Sequence, residues 1–147
     1  MPVTVKRITL WRREVVNEPG VLASTLEPLA TAGADLRVVM GYRFPEETTR
    51  AAIEIFPVAG KKPTAAAQQA GLAPFDLACL LVEGDNRPGF GAAVGRALAE
   101  AGINITFLVA QVLGRRFTAV IGFATDQDAT VATRAIKTVA KPRPRRR

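Results

Sequence analysis

The chain contains one segment twice, and this constrains its fold more than any other feature. Asn17-Glu18-Pro19-Gly20 returns as Asn86-Arg87-Pro88-Gly89, 69 positions on (86 minus 17). At that offset Ala23 meets Ala92, Leu29 meets Leu98 and Gly33 meets Gly102. The register runs without a gap from Asn17–Tyr42 to Asn86–Gln111, and eight of the twenty positions from Asn17 to Leu36 are identical. A chain of 147 residues suits one medium domain or two small ones. The repeat decides for two, at 1–73 and 74–140, with 141–147 left as a basic tail.

Each motif sits where an apolar strand ends and an amphipathic helix begins. Val3 to Val16 reads as the first strand, although its alternation slips between Val5 and Ile8. A helix is predicted from Pro19 to Ala32, with Leu22, Leu26 and Leu29 on one face and Gly33 as its left-handed stop. Pro28 is a misfit inside it, costing on the order of 3 kcal/mol or bending the helix. Strands follow at Asp35–Tyr42 and Thr49–Phe56, then a short helix over Pro63–Ala70. The second copy repeats the order. Leu77–Val82 is apolar at every position, as in a strand covered on both faces. A helix over Pro88–Ala101, strands over Asn104–Gln111 and Phe117–Ala124, and a helix over Gln127–Val139 capped by Asp126 complete it. Where the first copy has Leu22 and Leu26, the second has Gly91 and Gly95. Each mid-helix glycine costs about 1 kcal/mol against alanine. Something must therefore approach closely there: a neighbouring element, or a ligand.

The motif has two readings. In one, Asn17 and Asn86 are N-caps, and the Pro-Gly pairs merely turn the chain. In the other, the first-turn amides beside Gly20, Val21, Gly89 and Phe90 present partial positive charge to an anion such as a carboxylate. The Asn side chain, with one acceptor and two donors, then grips a small polar ligand. Pro19 and Pro88 suit a helix start because proline lacks the amide that would be unpaired there.

Charge and residue usage remove several classes. The formal net charge is +7, but Lys141, Arg143, Arg145, Arg146 and Arg147 account for five of it, so the folded part is nearly neutral. A polyanion reading rests on that tail alone, and no aromatic-basic interleaving supports nucleic-acid recognition. Histidine is absent, and the lone Cys79 lies inside an apolar strand with no His to activate it. No metal-ligand cluster or cofactor motif is present, so neither catalysis nor a cofactor is expected. Glu46 and Glu47 are adjacent in a turn and read as solvated. Apolar content of 48% with no run near the ~20 residues of a membrane helix argues for a globular, cytoplasmic chain without a membrane partner.

A strand ending in N-x-P-G, a helix closed by Gly and a polar residue opening the next strand together resemble the ACT domain, the small-molecule regulatory module of amino-acid metabolism. The resemblance spans roughly 3–71 and 75–140. It implies an α+β fold: two tandem ferredoxin-like βαββαβ domains, with antiparallel sheets and helices on one face. In both copies the fourth strand is not evident in the sequence. It also implies an amino acid held by Asn17 or Asn86 with Pro19, Gly20, Val21, Pro88, Gly89 and Phe90, and met by Asp35 or Asn104 where the second strand opens. Serine-binding members carry a His two residues before the motif Asn; here Val15 and Gly84 stand there, which counts against serine. The implied function is a non-catalytic amino-acid sensor that regulates a separate enzyme or transporter in trans, as a homo-oligomer. The alternatives are a ligand-free interaction module and polyanion binding through the tail.

Overall fold

The computed structural model describes residues 2–142. The expected tail lies outside the described residues from 143 onward. The stretch read as one strand is two: β1 (Thr4–Ile8) and β2 (Trp11–Val16), which belong to different sheets. The chain then runs α1 (Val21–Thr31), β3 (Val38–Arg43), β4 (Arg50–Phe56), α2 (Lys61–Gln69), β5 (Ala73–Pro74) and β6 (Ala78–Asp85). It ends with α3 (Phe90–Glu100), β7 (Phe107–Leu113), β8 (Arg116–Phe123) and α4 (Asp126–Ala140). Thr125, not Asp126, caps α4: its hydroxyl accepts from the Asp128 amide at 3.1 Å.

The first copy is a compact unit over Thr9–Asp76, with a four-stranded antiparallel sheet in the order β3-β4-β2-β5. This is the ferredoxin-like order, and β5 is the missing fourth strand. It has only two residues, too few to carry a periodic pattern, and Pro74 is tolerated because β5 is an edge. The core joins Val15, Ile53 and Ile55 of the sheet to Leu29 of α1 and Ala67 of α2. Helix α1 continues through Pro28, whose position leaves the carbonyl one turn back without its usual amide donor. Ala32 still donates to the Pro28 carbonyl at 3.1 Å.

The second copy begins at Leu77 and takes its fourth strand from the other end of the chain. Its sheet has the order β1-β6-β8-β7, with β1 antiparallel to β6 from Thr4 opposite Glu83 to Ile8 opposite Cys79. The expected division at residue 73 therefore shifts: residues 2–8 pack with 77–142. Lys6 and Arg7 on this edge help to blunt it against further pairing. Arg7 also pairs with Asp126 of α4. Gly84 explains how closely the strand seats, since a Cβ there would lie 2.9 Å from the Val3 Cα. Leu80, Val82, Ile121 and Phe123 face Val94 and Leu98 of α3 and Ile136 of α4 across the core. Burying a leucine such as Leu98, fully enclosed, contributes roughly 1.5–3 kcal/mol.

Candidate functional site

Both motifs form the same turn. In Glu18-Pro19-Gly20-Val21, the Val21 amide reaches the Glu18 carbonyl at 3.4 Å, and Gly20 has φ 89° and ψ −11°. In the second copy Phe90 reaches Arg87 at 3.2 Å, and Gly89 has φ 84° and ψ −4°. This is a type II turn: proline presets the first central residue, and the second requires the left-handed region that glycine enters freely. The helices thus start at Val21 and Phe90, two residues later than expected from Pro19 and Pro88. Gly20 and Gly89 are the N-caps, and neither helix has a side-chain cap bond or an acidic residue in its first turn. Asn17 and Asn86 are not caps. Their own amides donate to the Thr49 and Arg115 carbonyls, each at 2.8 Å, which fixes the strand exits.

In the second copy this turn opens into a cavity of about 550 Å³ between α3 and β7. Asn86, Arg87, Pro88, Gly89 and Phe90 line one end. Gly91 and Gly95 line the helix side, and a Cβ built on either would meet nothing within 4 Å. The glycines are not there to admit a packed neighbour; they leave space. Beneath them Leu108 and Val112 project from the same sheet face as Ile121 and Phe117, which they oppose across β7 and β8. Leu108 is 50% and Val112 55% exposed. Arg87 stacks its guanidinium 5.1 Å from the Phe90 ring and donates to the Val139 carbonyl at 2.7 Å.

Asn104 and Asp35 do not open strands. Strands β7 and β3 begin three residues later, at Phe107 and Val38, and both polar residues are exposed. Asn104 is outside the cavity lining, where its neighbour Ile105 stands. The structure therefore groups Asn86 with Pro88, Gly89 and Phe90 at one cavity and leaves Asn104 apart from it. The apolar floor formed by Leu108, Val112 and Phe117 was missed. Its signal was available in the paired substitution of Leu22 and Leu26 by Gly91 and Gly95.

A second feature escaped the sequence reading. On the helix-free face of the first copy, Glu54 of β4 is 1% exposed and lies opposite Arg12 of β2 and Met40 of β3. Among the described residues, its Oε1 and the Arg12 Nε are buried with no hydrogen-bond partner. Burial pushes the Glu54 carboxyl above its ordinary range, while Arg12 and a hydrogen bond from Tyr42 pull it back. The Arg12 guanidinium lies 4.5 Å from the Phe75 ring centroid and donates to Glu14 at 3.2 Å.

No helix of the described residues is long and apolar enough to cross a membrane. Among protein-family models and curated proteins, none matches the sequence. Solved structures do match over nearly the whole chain. The regulatory subunit of aspartate kinase from Thermus thermophilus, ligand free, is 17% identical with a TM-score of 0.63, covering 96% of this chain and 98% of that one. A Bacteroides thetaiotaomicron protein is 15% identical with a TM-score of 0.72, covering 95% and 99%. An aspartate kinase from Clostridium acetobutylicum, described as an allosteric enzyme, matches at 14% and 0.59, with 95% of this chain on 34% of that one. At such identities the likeness is one of fold: this chain has the architecture of aspartate kinase regulatory subunits, two ferredoxin-like domains in tandem.

Proposed function

We propose that the chain is an ACT-type regulatory module that binds an amino acid and reports its occupancy to a partner enzyme or transporter. The observation that carries this reading is the cavity at the second N-x-P-G turn, where Asn86 and uncapped first-turn amides stand at one end. Those amides have no intrahelical acceptor and suit a carboxylate. Asn86, freed from capping, offers donors and an acceptor beside it. Asp35 and Asn104, exposed outside the cavity, would meet the ammonium in an assembled homo-oligomer. The fold shared with regulatory subunits that cover the same length supports a role without catalysis.

Titration calorimetry against the twenty amino acids tests the proposal. Asn86→Ala should weaken binding at least about tenfold, the loss of one or two hydrogen bonds, and leave the melting temperature unchanged because no cap is removed. If none of the amino acids binds, the sensor reading fails. The chain would then be an interaction module working through the exposed apolar residues of edge strand β7, Leu108, Val109, Val112 and Leu113.

A further inference from the structure

We infer that the cavity of the second copy selects an amino acid with a large apolar side chain. The inference rests on the amino-acid reading above and adds the ligand class and the copy that takes it. The direction of the groove comes from the sheet. β6 and β7 both run antiparallel to β8, so they are parallel to each other, and α3 returns against β6. The motif end of α3 therefore lies beside the end of β7 at Gln111 and Val112. Val94, Gly95, Ile105 and Leu108 lie at the far end.

Polarity follows that axis. Asn86 and Arg87 are at the motif end, Gln111 adjoins it from a strand position whose side chain alternates to the other sheet face, and the remaining walls are aliphatic, aromatic or glycine. Among the described residues no Asp or Glu lines the cavity, and Arg87 is its one charged residue. An anionic head thus matches the charge at one end, and an apolar body matches the rest. A lysine, aspartate or serine side chain pointed down the groove would exchange water for hydrocarbon with no hydrogen-bond partner. In the first copy Leu22 and Leu26 occupy the positions of Gly91 and Gly95, and Leu26 packs against the core.

The test compares L-phenylalanine, L-leucine, L-serine, L-lysine and 3-phenylpropionate by calorimetry on the full chain and on Gly95→Leu and Gly95→Ala. L-phenylalanine or L-leucine should bind at least about tenfold more tightly than L-serine or L-lysine, as burial of several methylenes requires. Gly95→Leu should abolish that binding while the melting temperature holds or rises. Gly95→Ala, which fits without contact, should weaken binding by less and serves if the leucine variant does not fold. Tighter binding of L-serine or L-lysine would overturn the selectivity and leave the sensor reading intact. Apolar ligands that bind both Gly95 variants unchanged would overturn the placement in the groove. Binding of 3-phenylpropionate without either amino acid would keep the groove and remove the amino-acid reading, and binding of none of the five would overturn the inference.

Discussion

The two copies share a turn, a helix start and a strand order, and they differ on both faces of the sheet. On the helix face, Leu22 and Leu26 of the first copy stand where the second has Gly91 and Gly95, and Leu26 packs against the core while a Cβ on either glycine would meet open space. On the opposite face the contrast reverses. Arg12, Glu54 and Met40 form one cross-strand row in the first copy. Leu81, Val120 and Val109 form the same row in the second. The first copy thus carries leucines on its helix and a polar row behind its sheet, and the second carries glycines on its helix and an apolar row behind. Duplication preserved the frame because the turn and core need it. The surfaces on either side were free to take separate tasks.

The largest effect should come from the shared frame. Leu29→Ala and Leu98→Ala remove equivalent side chains, each fully enclosed, and each should cost about 2–5 kcal/mol by chemical denaturation. Equal costs would sharpen the view of two interchangeable cores. A near-zero cost at either one would break it.

A smaller effect should mark the difference. Glu54 carries a carboxyl raised chiefly by burial, with Arg12 of β2 and Tyr42 of β3 pulling it back and Glu14 acting on Tyr42 in turn. The folded state then keeps a proton that the unfolded chain has already lost. Stability should fall as pH rises from the ordinary carboxylate value through the raised one. Glu54→Gln should flatten that slope and raise the melting temperature at neutral pH by a few degrees. A thermal-denaturation series against pH reads both, and an unchanged slope would show that the carboxyl is ionised in the fold at no cost.

Much of this was readable from residues alone. The repeat fixed the element order, and Gly33 and Gly102 do stop their helices in the left-handed region, at φ 78° and 72°. The turn was harder to read, because Pro-Gly serves a helix start and a type II turn equally well until the amide bond to Glu18 or Arg87 is seen. The fourth strands were beyond reach for a physical reason. Strand pairing is non-local, and nothing in Thr4–Ile8 says whether its partner is 5 or 75 residues away. The break near Thr9 left a trace in the slipped alternation after Val5, but a slip does not name a second sheet. Glu54 escaped because alternation marks Ile53 and Ile55 as inward and says nothing of whether the other face is also covered.

The borrowed strand has a consequence for the order in which the molecule is made. β1 leaves the ribosome well before its partner β6, which lies some 70 residues later, with the whole first copy between them. That copy brings its own ends together: the Phe75 amide donates to the Leu10 carbonyl at 2.8 Å, and Trp11 lies opposite Pro74. Once it has folded, Ile8 and Cys79 are separated by a few residues of free chain rather than by a long loop, and the entropy of closing that loop has already been spent. The first copy should act as a clasp that must shut before the second can finish its sheet. Pulse-labelled hydrogen exchange during refolding should show the amides of β2 and β4 protected before those of β1. Protection of β1 ahead of them would show that the two ends of the chain find each other unaided.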